Sequence, residues 1–158
     1  MRLEYFQMLD RIVDVDVGER RIRTACTIPK ANESPVFEGH FPGYPLMPGV
    51  LLIECMAQTT GWLASALCNF SGLPMFAGVK DTKIRTAVFP GDELEFEGKV
   101  VHEGSGYTMG EAKGRRSGKI VCDASITYRI VPFPSPQFRK TLQDWATRLD
   151  FPLKELIK

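Results

Sequence analysis

Residues 39–70 read GHFPGYPLMPGVLLIECMAQTTGWLASALCNF, and this stretch decides the architecture. From Val50 to Phe70 it is apolar on nearly every helical face. A helix of that kind must be wrapped by other structure on most sides. A membrane span is the competing reading by length. Glu54 and Gln58 argue against it, as do the proline-rich approach and the small or polar Thr59, Thr60, Gly61 and Ser65, because a central glutamate is costly in lipid. Upstream, Phe37–Gly49 crowds three glycines, three prolines and three aromatics into one loop.

What surrounds the helix is β-prone. Ile12–Val17 and Ile22–Ile28 alternate as strands around a turn at Gly18-Glu19. After Ser71-Gly72 come strand-like runs at Met75–Val79, Lys83–Phe89, Glu93–His102, Tyr107–Lys113 and Ile120–Val131. Pro90-Gly91-Asp92, Gly104-Ser105-Gly106 and Arg116-Ser117-Gly118 supply turns. Leu3–Leu9 reads as a short helix. Near Lys140–Leu149 a second one would put Leu142, Trp145, Ala146 and Leu149 on one face. One buried helix and about six antiparallel strands imply an α+β domain, a curved sheet wrapped around the helix. A sheet so lightly covered is expected to find a partner, most simply in a symmetric dimer.

The bulk numbers agree. The chain has 158 residues, the size of one domain with an ordinary core. Twenty basic residues nearly cancel nineteen acidic ones, which asks for neither nucleic acid nor an anionic membrane. The cluster Lys113–Arg116 reads as a solvated hairpin tip. No secretory h-region is present at the N-terminus. Cys26, Cys55, Cys68 and Cys122 lack Cys-x-x-Cys spacing and read as small buried hydrophobes in a reducing compartment, with cytoplasm as the expected location. Two histidines are too few for a His-rich metal site, and Asp81, Asp92 and Glu93 lack metal-loop spacing. Ser105 in EGSGY reads as a turn and not a nucleophile elbow. His102 reads as a surface or interface residue.

Three residues point to chemistry. Pro48 suits the first helical position, which leaves the Gly49 N–H unpaired at the positive helix end. A carbonyl oxygen there could gather negative charge. Glu54 lies a little over one turn further along, among apolar neighbours that should raise its pKa by desolvation and keep it protonated as a general acid. Gln58, at i+4, can hold it by a hydrogen bond. His40 in the loop can be neutral and accept a proton. Each alone has a structural explanation: a satisfied buried glutamate, a loop histidine. Together they suit removal of a proton beside a thioester carbonyl, followed by loss of a hydroxyl, with no metal or redox cofactor.

At residues 39–58 the sequence resembles the FabZ-type β-hydroxyacyl-acyl-carrier-protein dehydratases of the hotdog fold. FAGV at 76–79 and VFPGDEL at 88–94 extend the resemblance over roughly residues 5–131. It implies a hydro-lyase converting 3-hydroxyacyl-acyl carrier protein to the trans-2-enoyl product, with His40 and Glu54 catalytic, Gly49 at the carbonyl and Gln58 beside Glu54. It also implies a homodimer whose sites take the histidine from one subunit and the glutamate from the other, in many members a trimer of dimers. The substrate would arrive on the phosphopantetheine of acyl carrier protein, and its acyl chain would enter a tunnel. Candidate liners are Phe70, Leu73, Met75, Phe76 and Phe89. Related dehydratase-isomerases carry Asp at the position of Glu54, which favours simple dehydration here. Lys83–Ala87, the LEYFQMLDRI start and the extension at 132–158 resemble a branch acting on very-long-chain acyl groups for lipid A. A hotdog thioesterase and a non-catalytic carrier-binding module are the alternatives.

Overall fold

The computed structural model describes residues 1–153. Six strands form one antiparallel sheet: β1 (Arg11–Asp16), β2 (Arg21–Thr27), β3 (Leu73–Ile84), β4 (Glu93–Gly104), β5 (Tyr107–Arg116) and β6 (Lys119–Val131). Their order is β1-β2-β4-β5-β6-β3. The α-helices given among the described residues are α1 (Val36–Gly39), α2 (Gly49–Leu67) and α3 (Pro136–Arg148). Helix α2 packs against β2, β3, β4, β5 and β6. This is the hotdog arrangement, with the helix as filling. Among the described residues α2 is the helix long and apolar enough to cross a membrane, and most of it is buried against the sheet.

The period-2 side-chain alternation of strands explains which face α2 covers. On β4, Leu94, Phe96, Gly98 and Val100 are buried while their neighbours are exposed. The inward residues of β5 are Thr108, Gly110, Ala112 and Gly114, all small. Their smallness lets the helix come close. A Cβ on Gly98 would lie 2.8 Å from Thr60 Cγ2 and 2.9 Å from Ile22 Cγ2, and one on Gly110 would lie 3.0 Å from Thr60 Cβ. The buried hydroxyls are paired: Thr59 Oγ1 donates to Cys55 O at 2.8 Å and lies 2.8 Å from Thr24 Oγ1.

Several elements differ from the sequence reading. The Leu3–Leu9 helix is one 3-10 turn, Leu3–Tyr5, ended by Phe6 at φ 53° and a bridge between Arg2 and Gln7. Lys83–Phe89 is not a separate strand. Instead β3 runs on through two register shifts to Ile84 and the chain then leaves the sheet, so that Val88 O accepts from Met47 N at 2.8 Å and braces the loop before α2. That loop contains the single helical turn α1. Pro48, with ψ 132°, is the N-cap of α2, and Gly49 is its first residue. The basic hairpin end is pinned, since Arg116 donates to Ala87 O at 3.1 Å and to Asp92 Oδ2 at 2.5 Å.

Helix α3 starts earlier than its apolar face suggests. Ser135 Oγ accepts from Phe138 N at 3.1 Å, and Pro136 occupies the first turn, a strong start signal hidden among prolines. Ala146 and Leu149 are buried on the core, and Trp145 meets Trp62 edge-on with centroids 5.6 Å apart. Ile12 N donates to Leu149 O at 2.7 Å, tying the helix end to β1. Residues 154–158 of the expected extension lie outside the described residues.

Gly98→Ala forces the Thr60 contact apart, and overpacking of this kind costs about 1–3 kcal/mol. Urea denaturation should show that loss with no change in m. A pH effect also follows. Burial pushes the Cys122 thiol up from 9.0 to about 11. Below the lower value the thiol is neutral whether folded or not. Above it the unfolded chain loses a proton that the folded chain keeps, so stability falls until the folded thiol titrates. Cys122→Ala should flatten the stability profile between pH 9 and about 11.

Candidate active site

The head of α2 organises the site. Pro48 offers no side-chain acceptor, and the amides of Gly49 and Val50 have no acceptor among the described residues. They point outward at the positive end of a 19-residue helix. A Cβ on Gly49 would sit 3.3 Å from Ile84 Cγ1, so the bare glycine also keeps β3 close.

Glu54 follows on the same helix and is half-buried. Gln58 Nε2 donates to its Oε1 at 2.9 Å, across one turn. The amide is itself held from the other side. Gln58 Nε2 donates to Phe6 O at 2.7 Å, and Gln58 Oε1 accepts from Met8 N at 3.3 Å. The N-terminal segment therefore fixes the residue that fixes Glu54. No sequence signal pointed to this, because the contact is long-range and runs through backbone atoms. Glu54 Oε1 is engaged, and the other carboxylate oxygen is left for a ligand.

Tyr128 lies beneath. Its hydroxyl donates to Ala57 O at 2.5 Å and lies 2.6 Å from Thr60 Oγ1. Burial pushes this phenol well up from its ordinary range, and the charge of Glu54 adds to the effect against the Thr60 hydrogen bond. Tyr128 thus stays a neutral hydroxyl that clamps β6 to the helix. In the sequence it looked like one more β-prone residue.

His40 caps α1 and stacks on Phe41, with centroids 4.0 Å apart. Its Nδ1 lies 3.0 Å from Leu46 O. A carbonyl can only accept, so Nδ1 carries the proton and the neutral ring keeps its lone pair on Nε2. No hydrogen bond joins His40 to Glu54, and His40 is not in the groove that Glu54 opens into. Within one chain the two are apart.

That groove has a volume of about 170 Å³. It runs down α2 from Glu54 past Gln58 to Ser65, and β3 contributes Leu73 and Phe76. Of the expected liners Phe70, Leu73, Met75, Phe76 and Phe89, Leu73 and Phe76 line it. Phe70 is buried in the core, edge-on to Phe151 at 5.6 Å. Met75 is displaced by strand alternation, which turns it away from the face of Phe76. Phe89 meets Tyr44 edge-on at 5.8 Å.

Residues 2–125 match the FabA-like domain family. A 3-hydroxyacyl-[acyl-carrier-protein] dehydratase FabZ of Symbiobacterium thermophilum is 33% identical over 84% of this chain and 92% of its own. One from Chloroflexus aggregans is 36% identical over 79% of this chain and 85% of its own. The chain belongs to the FabZ-type dehydratases. Among solved structures, the dehydratase heterocomplex ApeI:P from Xenorhabdus doucetiae shares the fold, with a TM-score of 0.63, 16% identity, and coverage of 88% of this chain and 90% of that one. So does a hypothetical thioesterase from Streptococcus pneumoniae bound to coenzyme A, with a TM-score of 0.60, 15% identity, and coverage of 79% and 90%. These distant structures bear on the fold alone. The FabZ relatives make the chain a hydro-lyase.

Gln58→Leu removes both grips on the N-terminal segment and the one on Glu54. It should cost roughly 1–2 kcal/mol in chemical denaturation, as lost hydrogen bonds of this exposure do. It should also lower kcat more than it raises KM, because its main effect is to free the Glu54 carboxylate.

Proposed function

We propose that the chain dehydrates 3-hydroxyacyl thioesters on acyl carrier protein to the trans-2-enoyl products, with His40 as base and Glu54 as acid. The observation that carries this reading is the placement of the Glu54 carboxylate. It is held by Gln58 at the mouth of an apolar groove, just over one turn below the unpaired Gly49 amide. The thioester carbonyl accepts from the Gly49 N–H, so negative charge growing on its oxygen meets the helix end. His40 Nε2 removes a proton from C2. The electron pair forms the C2–C3 double bond, and Glu54 protonates the departing C3 hydroxyl, which leaves as water. The two residues end with one proton exchanged, and water resets them. Proton transfers suffice, so the only prosthetic group involved is the carrier's phosphopantetheine.

In this reading each site spans two subunits. His40 and Glu54 do not meet within one chain, and an apolar surface lies uncovered beside them. Val50 is 70% exposed and Phe76 51%. Phe41, Tyr44, Met75 and Val79 are exposed as well, and β3 is an edge strand. A second copy pairing across β3 buries this face and brings the partner's loop over Glu54. Trimers of such dimers, a cytoplasmic location and long acyl chains of the lipid A type fit the sequence resemblance and belong to the same proposal.

His40→Ala and Glu54→Gln should each lower turnover about 10²–10⁴-fold, the usual worth of a general acid or base, with unchanged circular dichroism. Full activity in either variant sinks the assignment. Mixing the two inactive variants under subunit exchange should restore roughly one intact site in four. No recovery, with exchange shown by mass spectrometry, would place the site within one chain. Release of thiol from an acyl thioester lacking the hydroxyl would instead favour hydrolysis.

A further inference from the structure

The groove below Glu54 has a wall that the family match does not reach. The match ends at residue 125, whereas α3 begins at Pro136. Two α3 side chains, Leu142 and Trp145, nevertheless line the same groove as Glu54 and Gln58. Trp145 packs edge-on to Trp62, which also lines it. Trp62 lies eight positions after Glu54 on α2, about 12 Å along the helix axis at the usual rise. Leu142 and Trp145 therefore bound the far end of the groove, well away from the reacting atoms.

We propose that α3 is the chain-length determinant of this enzyme, with Trp145 and Leu142 as the residues that meet the distal carbons of the acyl chain. The inference rests on the reading of Glu54 as the acid at the groove's mouth. The occupant follows from the chemistry of the walls. Leu73, Pro74, Phe76, Trp62, Leu142 and Trp145 offer an apolar lining, and the polar groups of Glu54 and Gln58 sit at one end. That polarity suits a molecule with a reactive polar head and a hydrocarbon tail, which is what a 3-hydroxyacyl thioester is. The volume of about 170 Å³ is of the size that takes up a small apolar group. The far wall is rigid. Ala146 and Leu149 are buried beneath it, and Phe151 packs edge-on to Phe70 and against Trp62. Because the wall contacts only remote carbons, it acts on the ratio of long to short substrates and not on the chemical step. Burying or excluding one methylene in an apolar pocket changes kcat/KM about tenfold or more.

The test is kcat/KM for 3-hydroxyacyl carrier proteins of graded chain length, measured on the full-length wild type, Trp145→Ala, Leu142→Ala and Leu142→Trp. Turnover of the shortest substrate by the wild type establishes the dehydratase reading by itself, so a failure of the groove is distinguishable from a failure of the reaction. The expected result is a long-to-short ratio raised about tenfold by Trp145→Ala and by Leu142→Ala, and lowered by a similar factor in Leu142→Trp. Should Trp145→Ala not fold, the two variants of the half-buried Leu142 decide the matter. A wild-type ratio in both folded Leu142 variants overturns the proposal. So does an equal loss of kcat/KM at every chain length, which would mean that α3 only props up the fold.

Discussion

Helix α2 can approach the sheet closely because two inward positions beneath it are glycine: Gly98 on β4 and Gly110 on β5. The rest of the molecule depends on that approach. Thr59 and Thr60 reach the sheet, and Thr60 meets the Tyr128 hydroxyl. Tyr128 in turn grips the Ala57 carbonyl. The helix is thereby fixed in rotation as well as in depth. Rotation matters because Glu54, Gln58, Gly61 and Ser65 share one stripe, and it is this stripe that faces the groove. A helix free to turn would send the carboxylate elsewhere. A larger residue at position 98 or 110 would lift the same stripe off its walls.

The stripe also explains why such an apolar helix needs no lipid. Its buried flank carries Leu52, Cys55, Met56 and Leu63, all nearly inaccessible, while its other flank is left for a ligand. The polar residues that cost most in an apolar setting are paired. Thr59 and Thr60 bond back to the helix, and Gln58 bonds to the N-terminal segment. That segment has little regular structure of its own, one 3-10 turn and an isolated bridge. It buries Leu3, Met8 and Leu9 in the core and delivers two backbone groups, Phe6 O and Met8 N, to Gln58.

Much of this was legible in the residues. An all-round apolar helix and alternating strands dictate a sheet closed over a helix, and that is what forms. Glu54 to Gln58 is a spacing of four, so their contact could be foreseen. The spacing rules work because they are local. What they missed is long-range or governed by neighbours in space. Lys83–Phe89 has strand composition, yet its second half leaves the sheet because Val88 is needed under Met47. Pro48 was expected as the first helical residue, but its ψ of 132° places it just outside, so the free Gly49 amide expected from the sequence belongs to the helix's first residue. The groove liners could not be ranked from composition either. Phe70 and Phe76 are alike in sequence, and only the return of Phe151 from the chain's end decides that Phe70 is core.

The same logic bears on why the C-terminal segment belongs with the site. A hotdog sheet covers one face of its helix, and an edge strand such as β3 covers little more: most of its residues are exposed here. The groove beside α2 is therefore bounded by whatever comes to rest at the open end of that edge. In this chain α3 comes to rest there, anchored by Leu149 O on Ile12 N and by aromatic contacts among Trp62, Trp145, Phe151 and Phe70. Its amphipathic face is used twice. Ala146 and Leu149 seal the core, and Leu142 and Trp145 on the adjoining part face the groove. One helix added after the last strand can thus change the shape of the pocket while every residue at the head of α2 stays where the sheet holds it. In the proposed reading the acid on α2 and the chain-length wall on α3 stand about 12 Å apart along the α2 axis.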